Sequence, residues 1–349
     1  MSKPSVLLFG LGGIGGIYAS ILQLSGKCDV HVVARSNYHK VRNQGFKIVS
    51  PKFGNHDGMR FAGVWKSTDE AAASGTKFSY VLCANKALLD AKPSLSDHLR
   101  PVVSPATSIV LLQNGVGAEV PLHESFPNNT IISAVVWTGG KTLPDNDGVE
   151  QFNREGLTIG VDYREGGDRK EEDEKLETLV GFLQAGGGDC TVTKDIQSER
   201  WVKVIWNCCW NTLTASTLLK TGPFFQSSDL ALPLCYSIMN EVVAVAKAKG
   251  LTVPDGTTEK LIKQCTDVPY PGLPSSMMAD VKAQRPTEVE VILGTPVREG
   301  IRLGVSVPTI TTRVQPPLGS YSKLTISLRL YTLIKAIDYR NQNPGAANA

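Results

Sequence analysis

At roughly 150 residues per domain, a chain of 349 residues is long enough for two domains, each with its own core. A hydrophobic content of 42%, a charged content of 20% and 33 glycines exclude a mainly disordered or collagen-like chain. The net charge of +3, from 36 basic and 33 acidic residues spread along the chain, leaves no basic tail or cluster that would imply nucleic acid as a partner.

Seven cysteines (Cys28, Cys83, Cys190, Cys208, Cys209, Cys235 and Cys265) form no CxxC pair. Their odd number and low density argue against a disulfide framework or a thiolate zinc site, so no metal is expected and a reducing compartment fits. The five histidines all lie within the first 123 residues. An acid or base in the second half must therefore be some other side chain. Between Lys3 and Lys27 the chain carries no charge, which superficially resembles a signal peptide or a membrane span. Five glycines among residues 10–16 make that stretch a poor hydrophobic helix. No other uncharged apolar run approaches the roughly 18 residues of a span, so the expected location is cytoplasmic, without a membrane partner.

In chain order, Ser5–Phe9 reads as a short apolar strand ending at the glycines. Ile14, Ile17, Tyr18, Ile21, Leu22 and Leu24 then recur at helical spacing, with Gly26 as the stop. Val30–Ala34 is a second strand, and strand, glycine turn, helix and strand within about 30 residues make the βαβ unit of a parallel sheet. Further strands are expected at Phe46–Ser50, Tyr80–Ala84, Ser108–Leu112 and Ile131–Trp137. Val149–Phe152 and Leu157–Val161, flanking Asn153-Arg154-Glu155-Gly156, suggest a hairpin closing the sheet. The charged segment Glu165–Glu177 leads into a helix that stops at Gly186-Gly187-Gly188, and from Asp195 long helical patterns take over. The expected domains are an α/β domain over 1–194 and a helical domain over 195–349.

Gly10, Gly12 and Gly15 form a GxGxxG that follows a strand and opens a helix, the context that a dinucleotide fingerprint requires. The first glycine permits the tight turn, the second lets a pyrophosphate approach the backbone, and the third allows close helix–strand packing. The helix end offers unpaired N–H groups and partial positive charge to the phosphates. A turn without a ligand uses glycines too, so the strand–helix context is what favours a cofactor. At the end of the second strand an NAD enzyme usually has Asp or Glu for the ribose 2′-hydroxyl. Here Arg35-Ser36 stands, with no acidic residue until Asp57. A guanidinium can hold a 2′-phosphate bidentately where a carboxylate would repel it. The expected cofactor is NADPH, against the ordinary reading of Arg35 as a surface loop residue.

In the second half, Glu199, Lys203, Asn207 and Asn211 recur every four residues and share one helix face. Such a stripe is ordinarily a solvated face. The other positions from 201 to 210 are apolar, however, which marks a largely buried helix. A buried lysine and two buried amides need partners, supplied by a substrate cleft or by a structural polar network. Ser275-Ser276-Met277-Met278-Ala279-Asp280 and Arg285-Pro286-Thr287-Glu288, taken alone, read as a helix cap and surface charges. Lys86 and Asn114 follow expected parallel strands at the ends where open α/β sheets bind ligands.

Taken together and in order, these pieces resemble the ketopantoate reductase (2-dehydropantoate 2-reductase) family. They are the Gly10-Leu11-Gly12-Gly13-Ile14-Gly15 turn, Arg35, Asn85-Lys86-Ala87, Leu112-Gln113-Asn114-Gly115-Val116, Arg200-Trp201-Val202-Lys203 with Asn207 and Asn211, and Ser275-Ser276-Met277 with Asp280, Arg285 and Thr287-Glu288. The resemblance implies a Rossmann-type parallel-sheet domain followed by an all-helical C-terminal domain. It implies Lys203 as the general acid toward the substrate carbonyl and Glu288 as the carboxylate holding the substrate hydroxyl. Asn207 and Asn211 would orient the substrate and Ser276 would touch its carboxylate. Gly10, Gly12, Gly13, Ile14, Gly15, Arg35, Lys86 and Asn114 would serve the cofactor, with Lys86 and Asn114 lining a cleft between domains and Asn114 also facing the substrate.

Two positions depart from the family pattern. Leu293 stands before Gly294 where an asparagine is usual. Residues 313–329, with Pro316-Pro317 and Gly319, intervene before a last helical pattern at 330–335 and read as an insertion. The implied activity is NADPH-dependent reduction of a small 2-oxo acid, 2-dehydropantoate to pantoate first. Another branched 2-oxo acid or a specialised ketone keeps the chemistry and changes the substrate. A catalytically silent NADPH-binding sensor is the reading from another class, opposed by the joint presence of Lys203 and Glu288. Nothing in the sequence separates a monomer from a homodimer.

Overall fold

The computed structural model describes residues 3–310 together with Ile334, Ile337, Asp338, Asn341 and Gln342. The segment 313–329 lies outside the described residues. Two compact units emerge: Met1–Gln113 with Ala118–Glu199, and Asn114–Gly117 with Arg200–Ala349.

The first unit holds twelve strands: β1 (Ser5–Phe9), β2 (Asp29–Val33), β3 (Phe46–Val49), β4 (His56–Met59), β5 (Gly63–Trp65), β6 (Phe78–Cys83), β7 (Ser108–Leu111), β8 (Ile131–Val136), β9 (Gly139–Thr142), β10 (Gly148–Phe152), β11 (Leu157–Asp162) and β12 (Cys190–Val192). Eight form a sheet in the order β12-β11-β8-β7-β6-β1-β2-β5. Neighbours run parallel except β11 against β8. Val, Ile and Leu fill its centre, and β7 and β8 are buried at every position, the pattern of strands covered on both faces. Strand β1 lies between β2 and β6, so the chain leaves it at the point where strand order reverses. Such switch points are where open α/β sheets bind ligands.

The other four strands make a second sheet in the order β4-β3-β10-β9. The Gly13–Ser25 helix runs between the two sheets, buried from Gly15 to Leu22, and glycines on both sides make that possible. A Cβ on Gly15 would lie 2.0 Å from the Gly10 carbonyl oxygen and 3.0 Å from Leu8, on the large-sheet side. A Cβ on Gly16 would lie 2.6 Å from both Phe46 and Val149, on the small-sheet side. From the small sheet, Gly140 answers with the same economy: a Cβ there would meet Ile17 at 2.3 Å.

The hairpin expected from Val149–Phe152 and Leu157–Val161 does not form. Strand β10 pairs with β3 and β9 in the small sheet, while β11 pairs with β8 and β12 in the large one. The reason is Glu155 in the connection. Its buried carboxylate accepts from Tyr18 Oη at 3.1 Å, Lys52 Nζ at 2.6 Å and the Asp189 amide at 3.1 Å. Those bonds anchor the connection to three distant segments, so the two strands part instead of folding back on each other.

The described part of the second unit is helical. It comprises most of Ile196–Thr217, then Thr221–Gln226, Ala231–Ala248, Thr257–Thr266, Ser276–Lys282, a π-helical turn at Glu290–Gly294 and Thr295–Arg302. Trp201, Val204, Ile205, Cys208 and Cys209 are all buried on the longest helix, and each large apolar side chain so buried contributes about 1.5–3 kcal/mol. Ala231–Ala248 is, by length and composition, apolar enough to cross a membrane. Its Cys235, Ile238, Met239, Val242, Val245 and Ala246 are buried inside the unit, the pattern of a core helix.

Candidate functional site

Two sets of residues carry chemistry, one in each unit. The first is the glycine turn after β1. Gly10 adopts φ +104°, and a Cβ there would lie 2.5 Å from the Asn85 amide nitrogen, so the turn can hug the end of β6 only as glycine. The Gly12 amide donates to the Gly10 carbonyl at 2.9 Å. Gly12 is then the N-cap of the helix, with no side-chain cap and no acidic residue in the first turn. Nothing lies within 4 Å of where its Cβ would be. An uncapped helix end leaves donors unused, and open space over the backbone at that end admits a phosphate. The turn therefore fits a dinucleotide pyrophosphate, with Gly12, Gly13 and the half-buried Ile14 at the helix start. Gly13 has a second duty, since a Cβ there would meet the Gly140 carbonyl oxygen of β9 at 3.1 Å.

Around the turn, Arg35 and Lys86 are exposed. Asn37, buried and absent from the sequence-derived set, donates from Nδ2 to the Leu11 carbonyl at 3.0 Å, tying the glycine turn to the loop that carries Arg35. Ser36 Oγ accepts from Asn146 Nδ2 at 3.0 Å. Beside Lys86, Asn85 accepts from the buried Gln113 Nε2 through its carbonyl at 2.9 Å and its side chain at 3.1 Å. An asparagine four residues beyond β2 and before a tyrosine gives Asn37 no distinctive sequence signal.

The second set lies in the helical unit, to which Asn114–Gly117 belongs. Lys203 Nζ donates to Asn114 Oδ1 at 3.0 Å, and Asn114 Nδ2 donates to Glu288 Oε2 at 3.4 Å. One amide thus joins an ammonium to a carboxylate, accepting from one and donating to the other. Burial pulls the Lys203 ammonium down from its ordinary 10.5 to about 8, with the Arg200 charge adding to the effect and Glu288 opposing it. Glu288 is itself buried, at 6% exposure.

The backbone of 289–302 explains how Asn114 arrives there. The Thr295 amide bonds to the Glu290 carbonyl, five residues back, which makes the turn π-helical and releases the Val291 carbonyl. The Val116 amide takes that carbonyl at 2.9 Å. Pro296 has no N–H to offer Ile292, and the Cys208 thiol donates to the Ile292 carbonyl instead, at 2.7 Å. Gly115 (φ +85°) and Gly117 (φ +90°) let the loop lie flat on this turn, since a Cβ at Gly115 would meet Val291 at 2.4 Å and one at Gly117 would meet Thr295 at 2.8 Å. From the other side Arg200, 2% exposed, donates from Nε and Nη2 to the Gly115 carbonyl at 3.1 and 2.7 Å. Single π turns inside α-helices recur at functional sites. The proline four residues after Ile292 is the sequence signal that could have pointed to this one.

Asn207 and Asn211, one and two turns beyond Lys203, are each 5% exposed. The Asn207 amide nitrogen has no hydrogen-bond partner. A buried unmet donor costs about 1–3 kcal/mol, and such a group invites a polar ligand. Glu199, the first member of the stripe, is exposed and falls in the other unit. Ser276 is exposed as well. The capping hydroxyl of its helix is that of Ser275, which accepts from the Met278 amide at 3.0 Å and from Thr214 at 2.6 Å. Asp280 is buried and accepts from Arg285 Nε at 3.1 Å, while the Thr287 amide, next to Glu288, donates to Asp338 at 2.7 Å. Among the described residues no group of three His, Cys, Asp or Glu side chains is arranged to hold a metal ion.

Known proteins share this architecture. The family model "Ketopantoate reductase PanE/ApbA" matches residues 6–161, and "Ketopantoate reductase PanE/ApbA C terminal" matches 195–315. The chain is 27% identical to a 2-dehydropantoate 2-reductase of Nostoc sp. over 89% of its length and 93% of the relative's. It is 26% identical to the uncharacterized protein YDL144C of Saccharomyces cerevisiae over 88% and 90% of the two chains. Among solved structures it resembles the 2-dehydropantoate 2-reductase of Methylococcus capsulatus, with a TM-score of 0.79, 29% identity and 97% and 98% of the two chains covered.

Proposed function

The chain belongs to the ketopantoate reductase family of oxidoreductases, and on that premise we propose that it reduces a small 2-oxo acid with NADPH, 2-dehydropantoate to pantoate being the pair we infer. The observation that carries the proposal is the Asn114 amide joining Lys203 to a buried Glu288. When bound, the nicotinamide supplies the hydride.

The rest of the chemistry falls to this chain's residues. Reduction of a ketone builds negative charge on its oxygen, and a nearby cation with a proton to give lowers that barrier. Lys203, drawn down to about 8, is still mostly protonated at neutral pH yet gives up its proton more readily than a free lysine. It donates that proton to the substrate oxygen. Asn114 Oδ1 aims the ammonium, and Glu288 favours its charged form while accepting the substrate hydroxyl. Asn207 and Asn211 orient the substrate, and the unmet Asn207 donor gives that role a physical basis. Ser276 would meet the substrate carboxylate only as an exposed hydroxyl.

On the cofactor side, the open face of Gly12 and the helix start at Gly13, Ile14 and Gly15 would hold the pyrophosphate, with Gly10 shaping the turn. Arg35 would meet the 2′-phosphate, and the exposed Lys86 lies at the end of β6, beside the same turn. The test is NADPH oxidation with 2-dehydropantoate, run beside a panel of branched and aromatic 2-oxo acids, with NADH as the parallel cofactor. Turnover with a strong NADPH preference is expected. Tight NADPH binding with no oxo acid reduced would replace the reductase reading by that of a silent nucleotide-binding protein.

A further inference from the structure

Arg200 has no part in the chemistry above, yet it is among the most buried charged side chains of the second unit. Two of its N–H groups converge on one acceptor, the Gly115 carbonyl, at 3.1 and 2.7 Å. A buried guanidinium is costly unless its geometry is well met, so a chain that spends one on a backbone carbonyl is holding that backbone in place. The carbonyl belongs to the residue after Asn114. On its far side the same loop rests on the π turn through the Val116 amide and the flat face of Gly115. Arg200 also lies three residues before Lys203 on one helix and so shares its face.

We infer that Arg200 is a positioning residue: by gripping the Gly115 carbonyl it fixes the loop so that the Asn114 amide bridges Lys203 and Glu288. Three supports then converge on four residues, a guanidinium from the long helix, a carbonyl from the π turn, and glycines that let the two approach. Asn114 touches the reacting groups, and Arg200 acts through it. The charged groups beside Lys203 are Glu288 and Arg200 itself. Replacing Arg200 by lysine keeps a positive charge there but cannot reproduce the two-pronged grip, which separates position from charge.

The inference rests on the reductase reading for its kinetic readout, so the experiment carries a second readout that needs no turnover. Arg200→Lys is expected to lower kcat about tenfold or more with a smaller change in KM. NADPH affinity, measured by fluorescence titration, is expected to stay within about twofold, because the nucleotide turn lies in the other unit. In parallel, acylation of Lys203 by an amine-directed reagent across a pH series, read by mass spectrometry, reports its titration midpoint. Loss of the Asn114 acceptor disfavours the ammonium, so the midpoint is expected to fall below that of the unaltered chain.

An Arg200→Lys protein with unaltered kcat and an unaltered midpoint would overturn the assignment. A raised midpoint would overturn it too, since losing the Asn114 acceptor can only disfavour the ammonium. If Arg200→Lys shows no cooperative melt, Gly115→Ala tests the same loop with Arg200 in place, because its Cβ must push the loop off Val291. The same losses are expected there, and their absence sinks the idea. Should the unaltered chain reduce no 2-oxo acid at all, the reductase reading fails, while the labelling midpoints still decide the role of Arg200.

Discussion

The two sets of chemical residues are built in opposite ways. The glycine turn is made from seven consecutive residues, and its geometry is carried by backbone: a left-handed Gly10, an uncapped Gly12, a Gly15 pressed on the Gly10 carbonyl. The polar set in the helical unit is made from three side chains, at 114, 203 and 288, brought together by bonds that span 89 and 174 positions. A backbone site tolerates little change in its own few residues and is indifferent to most others. A side-chain site depends on every segment that supports it, including residues such as Arg200 and Cys208 that touch none of its chemistry.

The largest expected effect breaks the second site. If Lys203 is the proton donor, as proposed, Lys203→Ala is expected to lower turnover by about 10²–10⁴-fold, with NADPH affinity, measured by fluorescence titration, nearly unchanged. The pH profile of the unaltered chain belongs with it. Because a lysine acid must be protonated to act in reduction, and the Lys203 ammonium is pulled down to about 8, the rate of oxo-acid reduction is expected, on that proposal, to be level in the neutral range. It should then fall about tenfold per pH unit above 8. A profile that stays level through that range would remove Lys203 from the role.

A smaller effect sharpens the contrast inside the turn itself. Gly15→Ala forces a Cβ to within 2.0 Å of a carbonyl oxygen, and overpacking of this kind costs about 1–3 kcal/mol or more, visible as a lowered Tm. Gly12→Ala meets nothing within 4 Å and is expected to leave Tm almost unmoved while weakening NADPH binding. Equal melting losses in the two variants would mean that the face of Gly12 is not open, and unweakened NADPH binding that it is not a binding face. The smallest effect concerns cofactor choice: Arg35→Asp is expected to cost NADPH about 1–3 kcal/mol of binding and NADH much less. An equal loss for both would dissociate Arg35 from the 2′-phosphate.

That asymmetry also governs what could be read from the residues. The βαβ start was visible because strand, turn and helix are local patterns, and three of the five glycines explained themselves through the fingerprint. Gly13 and Gly16 did not, since their partners are Gly140 in β9, Phe46 in β3 and Val149 in β10, in a second sheet that no local pattern announces. The same blindness produced the false hairpin. Two strand patterns with a polar link look alike whether they pair or part, and what parts them is Glu155 reaching Tyr18, Lys52 and Asp189. In the helical unit the four-residue spacing made Lys203, Asn207 and Asn211 conspicuous. Arg200 stood in the same run as part of the family motif but without a role, because an arginine near a helix start is ordinary and the carbonyl it grips is 85 residues away. Ser275 and Ser276 show the limit of resolution: adjacent serines are equivalent as letters, and only the cap geometry separates the capping, part-buried hydroxyl of Ser275 from the exposed Ser276.

The helix wedged between two sheets has a dynamic consequence. A helix in this class of fold ordinarily keeps one side wet, and its amides can open by fraying outward. Here Gly15 to Leu22 have no wet side, so the backbone that follows the glycine turn can exchange its amide hydrogens only when the elements packed on it lift away. Local opening free energies rise toward the global value for such segments. The glycine turn is thereby joined to a part of its unit where slow exchange is expected, and a ligand bound there would meet it already ordered, with little entropy left to lose.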